Sequence, residues 1–287
     1  MAVSRFAKSS ISEGFAKVLN MGYTTDKIVS DLSPTFWLDA SDSSTLALSG
    51  SNVTTWSDKS GNGRNFTQGN ASFYPAYNAT GLNNKPALEF NASSGAAGGK
   101  WLDFGGSGFP LHSSSSSPVT MFFVLKFSNP TWQQFYFTWN KSAAPSCTNF
   151  ELGLYDMGGN GGGQLTNGIH VGCSIGYQGG FPADEGIYIN VMQLKSSGSS
   201  PNNVLHRINR QTITGINSSA GNYLNASSYP TTNGTCRIGA RKDGDTTNND
   251  SFFNGSISEV IMYKSELSLT NIEFVENYLS NKWGIAQ

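Results

Sequence analysis

Oxygen-bearing side chains are concentrated in one run of the sequence, Asp243 to Asp250, which reads Asp-Gly-Asp-Thr-Thr-Asn-Asn-Asp. Carboxylate oxygens are the ligands that Ca²⁺ prefers, and Asp243, Asp245 and Asp250 supply three carboxylates. The run lacks the twelfth-position glutamate of an EF-hand loop, so a solvated hairpin loop before the last strand is the favoured interpretation. The sequence predicts no cofactor, with Ca²⁺ as the single candidate ion and this run as its site.

A second set of aspartates lies near the start of the chain. Asp39, Asp42 and Asp58 could offer oxygens to Ca²⁺, but no closely spaced ligand loop accompanies them. Aspartate commonly accepts hydrogen bonds from backbone N–H groups in turns. That structural role is the favoured interpretation for Asp39 and Asp58.

Aromatic side chains, which make up 12% of the chain, often stand beside polar loops. Sugars bind aromatic faces that are flanked by amide and hydroxyl groups. We expect Trp132, Tyr177 and Tyr223 to be the candidate carbohydrate-binding residues, although most aromatic residues in an all-β domain of this size belong to the core.

Patterns that would indicate catalysis are missing from the sequence. Glycoside hydrolysis needs two carboxylates about 5 to 10 Å apart across the scissile bond. Asp184 and Glu185 would point to opposite faces of a strand, and Glu259 stands alone, where a structural role is favoured. The three histidines are far apart. The sequence predicts no catalytic residue and a protein that is not an enzyme, with a glycanase of unfamiliar carboxylate placement as a remote alternative.

Short apolar runs separated by Gly, Ser, Asn and Pro predict many strands. The clearest are Val119 to Phe127, Gln134 to Trp139, Phe150 to Leu154, Ile187 to Leu194 and Ser256 to Tyr263. Ile187, Ile189 and Val191 share one face, which predicts a strand with one buried face. Residues 121–125 are apolar on both faces, which predicts a central strand between two layers.

Two helices are expected, one near each end of the chain. The spacing of Ser10 and Glu13 is that of a capping box and opens a short amphipathic helix. Near the other end, Thr270 to Glu273 forms a second capping box, and Gly284 is the expected stop. Four residues trace the buried face of this C-terminal helix: Ile272, Val275, Leu279 and Trp283.

The composition of the chain argues against two classes of partner, nucleic acids and membranes. The 287 residues are 13% charged, with a net charge of -1 and no basic run, so nucleic acid is not an expected partner. No apolar stretch approaches the roughly 18 residues of a membrane span, and Met1 to Ser12 lacks the apolar core of a signal peptide. We expect one docking segment, residues 1–33, followed by one domain, residues 34–287.

Several motifs resemble those of LamG-like, concanavalin A-like lectin/glucanase domains. Phe36 to Asp42, Val53 to Gly63 and Asn84 to Phe90 resemble the opening of such a domain, and Phe253 to Tyr263 with the helix that follows resembles its close. The match brackets residues 34–284, although residues 91–250 match only in strand rhythm. The resemblance implies an all-β, two-sheet antiparallel jelly-roll sandwich with a short N-terminal helical segment and a C-terminal helix. The glucanases that it resembles usually place their two carboxylates in a Glu-x-Asp-x-x-Glu string, which this sequence lacks. Trp37 and Trp56 would fill the space between its sheets.

The function expected from these features is that of a non-enzymatic virion structural protein, a phage head-decoration or fibre component whose jelly roll binds glycans or a host surface. Residues 1–33 would dock on other virion proteins, since Ser4 to Ser9 and Glu13 to Lys17 look similar to the starts of some marine phage virion proteins. The expected location is the virion, after synthesis in a host cytoplasm, and the expected assembly is a homo-oligomer. The alternative is a carbohydrate-binding module of a bacterial surface protein.

Overall fold

A computed structural model describes residues 25–92, 98–104, 118–128, 134–141, 149–156, 165–171, 174–182, 185–196, 204–213, 234–242 and 249–286. Within these ranges the chain forms two α-helices, α1 (Thr25–Asp31) and α2 (Leu269–Trp283), and nineteen strands. The helix expected after Ser10 lies outside the described residues.

The strands alternate with turns along the whole described chain. The first ten are β1 (Phe36–Asp39), β2 (Leu46–Ser49), β3 (Asn52–Trp56), β4 (Phe66–Thr67), β5 (Ala76–Leu82), β6 (Lys85–Phe90), β7 (Leu102–Phe104), β8 (Val119–Phe127), β9 (Gln134–Lys141) and β10 (Asn149–Asp156). The others are β11 (Leu165–Val171), β12 (Ser174–Pro182), β13 (Ile187–Leu194), β14 (Val204–Ile208), β15 (Gln211–Thr212), β16 (Gly234–Ile238), β17 (Arg241–Lys242), β18 (Asn249–Asp250) and β19 (Gly255–Tyr263). All five strands singled out in the sequence are present, and β8 and β13 have the predicted bounds.

Seventeen strands form one hydrogen-bonded network, and β17 and β18 form a separate hairpin. The described ladders between numbered strands are all antiparallel. A first strand group joins β1, β5, β6, β8, β13, β14, β15 and β19, and a second joins β2, β3, β4, β7, β9, β10, β11, β12 and β16. In the described chain a single pair, Asn52 of β3 opposite Ala76 of β5, connects the two groups. The chain is therefore predominantly antiparallel β, as the sequence predicts.

Two hydrophobic clusters cover the two faces of the first strand group. On β8, Met121, Phe123 and Leu125 belong to a cluster shared with the second strand group. Phe122 and Val124 point the other way, into a cluster shared with α1 and α2. Because strand side chains alternate between faces, both faces of β8 are buried. The predicted central position of this strand is confirmed.

Strand β13 differs in one respect from its prediction. Ile189 and Val191 lie on the helix side, with Ile187 packed against the same cluster, which confirms the predicted face. The prediction of a single buried face is wrong, because Tyr188 and Met192 are buried on the opposite side. Asn190, which lies on the same side as Tyr188 and Met192, is also buried and has hydrogen-bond partners.

The two tryptophans expected between layers are separated by the sheet. Trp56 lies in the cluster between the strand groups, as predicted. Trp37 lies in the helix-side cluster, so its predicted position is wrong. Its neighbours Phe36 and Leu38 occupy the inner face, and the alternation of β1 therefore turns Trp37 towards α2.

Strand β19 contains a β-bulge, and the bulge decides where its one carboxylate lies. The register against β8 shifts between Ile257 and Glu259, so Ser258 is the extra residue. Ile257 and Val260 both face the inner cluster, two positions that strict alternation would not place on one side. The bulge therefore turns Glu259 to the same side as Ile261, beneath α2.

Helix α2 follows its prediction except at its first residue. Ile272, Val275, Leu279 and Trp283 are all fully buried, and Gly284 ends the helix in the left-handed conformation at φ 66°. The N-cap is Ser268, whose Oγ accepts a hydrogen bond from the Asn271 N–H at 3.2 Å. The capping box expected from Thr270 is wrong by two residues.

Helix α1 packs on the same side of the sheet as α2. Its Val29 is fully buried in the helix-side cluster, and the Tyr263 hydroxyl donates to the Val29 carbonyl at 3.3 Å. These contacts place the last part of the expected docking segment, residues 25–31, against the β domain; the division at residue 33 stays a prediction. None of the helices in the described ranges is long and apolar enough to cross a membrane.

Candidate functional site

The loop after β3 is organised around Asp58. Its Oδ1 accepts hydrogen bonds from the backbone N–H groups of Trp37 and Ser60, both at 2.9 Å, and its Oδ2 accepts from the Arg64 N–H at 3.0 Å. Gly61 and Gly63 have φ values of 86° and 72°, which glycine adopts without strain. The turn role expected for Asp58 is confirmed.

This loop, the start of β1 and the end of α1 enclose a polar pocket of about 460 Å³, a size within the usual range of ligand sites. Asn62 ties the loop to the chain before β1, since its Nδ2 donates to the carbonyl of Pro34 at 3.0 Å. The lining comprises Ser30, Ser33, Pro34, Thr35, Trp37, Lys59, Ser60, Asn62, Arg64 and Lys264. Three of these side chains are cationic and none is acidic, so the pocket is suited to an anionic, hydroxyl-rich ligand.

Lys59 connects the pocket with the interior. Its Nζ lies 2.8 Å from Asp26, 2.9 Å from Asp39 and 3.4 Å from Asp42, and 4.5 Å from the centre of the Trp37 ring. Burial acts to lower the pKa of Lys59, but the carboxylates of Asp26 and Asp39 outweigh it and raise the pKa above its ordinary value. Lys59 is therefore a fixed cation at the inner wall of the pocket.

Lys59 belongs to a group that extends from the pocket into the interior and that we call the buried charge cluster. It consists of Asp39, Lys59, Glu259, Tyr278 and Lys282. The Nζ of Lys282 lies 2.7 Å from Asp39 Oδ2 and 2.9 Å from Glu259 Oε2, so one ammonium joins two carboxylates. Asp39 is 1% exposed and Glu259 is fully buried. Neither carboxylate belongs to the lining of the pocket.

Aromatic donors complete the coordination of Glu259. Trp37 Nε1 and the Tyr278 hydroxyl donate to Oε1 at 2.7 and 2.9 Å, and Trp283 Nε1 donates to Oε2 at 2.6 Å. These donors come from β1 and from two successive turns of α2. The Glu259 carboxylate thus joins the first described strand, the last strand and the C-terminal helix.

The pKa values of the two carboxylates in the cluster are shifted in opposite directions. Burial raises the pKa of Glu259 above its usual range, and Lys282 only partly opposes it. Burial also acts to raise the pKa of Asp39, but Lys282, Ser41 and Lys59 outweigh it and hold that pKa below its ordinary value. Burial, followed by the charge of Glu259, raises the pKa of Tyr278, which stays a hydroxyl donor.

Most of the sequence-predicted site residues fall outside the described part of the chain, including Trp132, Tyr223, Asp243 and Asp245. Tyr177 pairs with Ile169 in the β11–β12 ladder, and Asp250 with Arg241 in the β17–β18 hairpin, but their side chains are not among those described. The carbohydrate and Ca²⁺ assignments of these six residues stay predictions.

The early aspartates have turn contacts. Asp39 Oδ1 accepts from the Ser41 N–H at 3.0 Å, as expected, and Asp42 Oδ1 accepts from the Ser44 N–H at 3.1 Å. Among the described residues, no three His, Cys, Asp or Glu side chains are arranged to hold a metal ion.

The pocket and the buried charge cluster were not predicted from the sequence. A signal for buried lysines was present in the sequence. Only 13% of the chain is charged, yet Lys59 and Lys282 both occur inside tryptophan- and glycine-containing motifs. Because lysine is almost never buried without a partner, these two lysines indicate nearby carboxylates. What the sequence did not show is that positions 39, 259 and 282 meet.

Comparison with known proteins places the fold among all-β structures. No protein-family model and no curated protein matches the sequence, so the LamG-like resemblance is not confirmed. A Trypanosoma rangeli sialidase mutant with trans-sialidase activity matches with a TM-score of 0.53 at 12% identity, covering 96% of this chain and 40% of that one. An arabinofuranosidase complexed with arabinofuranosyl-α-1,2-xylobiose matches with a TM-score of 0.53 at 15% identity, covering 81% and 51%.

A structure of botulinum neurotoxin type C, whose cell entry depends on two ganglioside molecules, matches with a TM-score of 0.50 at 13% identity, covering 88% of this chain and 52% of that one. The chain thus spans 40% to 52% of the length of these three structures. At such identities the likeness establishes the fold. It also corrects the expectation that the protein is not an enzyme, because a sialidase and an arabinofuranosidase are among the chains with this fold.

Proposed function

We propose that the protein binds a carbohydrate that carries a carboxylate, and that the ligand lies in the polar pocket between α1, the start of β1 and the Asp58 loop. The observation that carries the proposal is the pocket lining, in which Lys59, Arg64 and Lys264 stand among hydroxyl and amide groups without an acidic side chain. A carboxylate forms strong charge-assisted hydrogen bonds with such cations, and sugar hydroxyls suit the serine and asparagine groups.

The inner wall of the pocket is held in place before any ligand arrives. Arg64 Nη1 donates to the Thr35 carbonyl at 2.6 Å, and Lys59 is fixed by its carboxylate partners. A rigid site loses little conformational entropy on binding. Lys264 is exposed, and no ion pair between described residues includes it, so it is suited to contact an incoming anion.

The ligands of three structural neighbours support a carbohydrate ligand. The Trypanosoma rangeli sialidase in complex with 2,3-difluorosialic acid has a TM-score of 0.50 to this chain at 14% identity, covering 87% of this chain and 33% of that one. The neurotoxin interacts with gangliosides, and the arabinofuranosidase is complexed with a substituted xylobiose. These ligands belong to the neighbours: the sialic acid carries the carboxylate that the pocket lining favours, whereas the substituted xylobiose is uncharged and supports only a carbohydrate ligand in general.

Titration calorimetry with the full-length protein tests the proposal. We expect sialyllactose to bind and lactose, which lacks the carboxylate, to bind at least about tenfold more weakly, since a hydrogen bond to a charged group contributes about 1.5 to 3 kcal/mol. Chromatography of the same mixtures reports whether the bound glycan is cleaved. Equal binding of both sugars, or binding of neither, contradicts the proposal.

Lys264→Glu and Lys195→Glu form a matched pair of variants. Lys264 lines the pocket, whereas Lys195 follows β13 and lies outside the lining. We expect only Lys264→Glu to weaken sialyllactose binding, because it places a negative charge beside the sugar carboxylate. The same loss in both variants would indicate a general charge effect.

We also propose that the two strand groups form a two-sheet jelly-roll sandwich. The inner cluster draws on both groups, with Phe36 and Met262 from the first and Trp56 and Phe137 from the second. Two layers that share one core and a single described backbone pair have the arrangement of face-to-face sheets. An experimental structure would decide the question.

The role in a virus particle is a second proposal, which the sequence alone supports. Arg5, Lys8, Lys17 and Lys27 make residues 1–33 more basic than the rest of the chain, as a docking segment for other virion proteins would be. Mass spectrometry of density-gradient fractions tests it. Stoichiometric presence of the chain in particles supports the proposal, and recovery of the chain only outside particles contradicts it.

A further inference from the structure

Lys282, Asp39 and Glu259 have an arrangement suited to a chemical reaction between side chains. The Lys282 Nζ lies 2.7 Å from Asp39 Oδ2 and 2.9 Å from Glu259 Oε2. The rings of Tyr278 and Trp283 lie 5.3 and 5.2 Å from the same nitrogen. An amine, an acyl carbon and a second carboxyl group are thus held in contact, with Asp39 1% exposed, Glu259 fully buried and the Lys282 side chain 18% exposed.

We propose that Lys282 and Asp39 condense to form an intramolecular isopeptide bond and that Glu259 transfers the proton for this reaction. The bond between Lys282 Nζ and Asp39 Cγ forms, and one Cγ–O bond of Asp39 breaks. Glu259 accepts two protons in turn from the Lys282 nitrogen and passes both to the departing oxygen, which leaves as water. An ammonium and a carboxylate become one neutral amide and one water molecule, with no oxidant and no net change at Glu259.

Burial favours this reaction in two ways. Burial of an ion pair costs free energy because two charges are removed from water, and this cost disappears when the pair becomes a neutral amide. Holding the reacting groups in contact replaces a bimolecular encounter by an intramolecular step, which is worth several orders of magnitude in rate. The raised pKa of Glu259 makes this carboxyl a better proton acceptor than an ordinary glutamate.

Lys59 also contacts Asp39 Oδ2, at 2.9 Å, but its surroundings do not favour the reaction. In the described ion pairs the Lys59 Nζ contacts three carboxylates, with Asp26 and Asp42 at 2.8 and 3.4 Å, whereas the Lys282 Nζ contacts two. The additional carboxylate stabilises the Lys59 ammonium further against loss of the proton that a nucleophilic amine must give up. Glu259 contacts Lys282 and not Lys59 in the described hydrogen bonds and ion pairs. The geometry therefore selects Lys282 as the nucleophile.

Intact-mass spectrometry of the denatured full-length protein tests the proposal. We expect a mass lower than the sequence mass by one water molecule, and a branched tryptic peptide in which the segment with Asp39 is joined to the segment with Lys282. A mass equal to that of the sequence overturns the proposal. So does a water loss that maps to any other pair of residues.

Two lysine variants separate the candidate nucleophiles. Lys282→Arg keeps a positive charge beside both carboxylates but removes the amine, so the full sequence mass is expected. Lys59→Arg is the matched control, and the water loss is expected to persist. A water loss that persists in Lys282→Arg, or disappears in Lys59→Arg alone, overturns the assignment.

A third variant tests the role of Glu259. In Glu259→Gln, which cannot accept the proton, most molecules should keep the full mass; complete conversion would overturn the role of Glu259.

Discussion

The indole nitrogen of Trp283 donates a hydrogen bond to Glu259 Oε2 at 2.6 Å, and so attaches the last turn of α2 to the bulged strand β19. Glu259 is fully buried, and the bulge at Ser258 is what turns it towards the helix. An unpaired carboxylate at this position would be costly, because burial disfavours its charge. The helix and the carboxylate therefore depend on each other.

Removal of Glu259 should destabilise the protein strongly. Glu259→Ala leaves the buried N–H groups of Trp37 and Trp283 and the Tyr278 hydroxyl without their acceptor, and we expect a loss of about 3 to 5 kcal/mol in the free energy of unfolding. Urea denaturation measures it. The exposed Glu266→Ala is the control and should cost under about 1 kcal/mol; similar losses in both variants would contradict a supporting role for the cluster.

Stability should fall as the pH is lowered, because of His206. Burial lowers the pKa of His206 from 6.5 to about 3, so the folded protein keeps it neutral while the unfolded chain takes up a proton. Its contribution is present above pH 6.5 and is lost as the pH falls towards about 3, by at most about 1.4 kcal/mol per pH unit.

Denaturation curves of the wild-type protein and His206→Gln at several pH values check this expectation. Glutamine can still donate a hydrogen bond to Asn190 Oδ1, which His206 Nε2 contacts at 2.8 Å, but it does not titrate. The variant should show a flatter pH dependence. Parallel curves for the two proteins would mean that other groups cause the loss.

The N-cap of α2 can be tested with a pair of neighbouring substitutions. Ser268→Ala removes the hydroxyl that accepts from the Asn271 N–H, and should cost about 1 kcal/mol. Thr270→Ala, at the exposed residue that the sequence suggests as the cap, should cost much less. Thermal denaturation of the two variants decides between the positions, and a larger effect at Thr270 would restore the sequence-based assignment.

Two truncations measure the contribution of α1. Deletion of residues 1–24 keeps the packing of Val29 and the ion pair between Asp26 and Lys59, whereas deletion of residues 1–33 removes both. We expect the longer deletion to be less stable by about 2 to 4 kcal/mol, mainly through lost apolar burial. Equal stability of the two truncated proteins would show that α1 contributes nothing to the fold.

Local sequence patterns were sufficient to predict several strands and the C-terminal helix, but not the residues of the candidate site. The bounds of β8 and the buried face of α2 follow from runs and periods within one segment. The position of Trp37 depends on which face of β1 meets α2, and the orientation of Glu259 depends on a bulge, and neither is visible in a single segment. The buried charge cluster joins Asp39 to residues more than two hundred positions away, which periodicity does not detect.

The contact between the two helices has a mechanical consequence. The Tyr278 hydroxyl lies 3.4 Å from Asp26 Oδ1, so the first and last described helices meet on one side of the molecule. Tension applied between residues 25 and 286 would reach this helix pair before it loads any strand ladder. The contacts that hold α1 and the last turn of α2 on the sheet are therefore the first to bear the load.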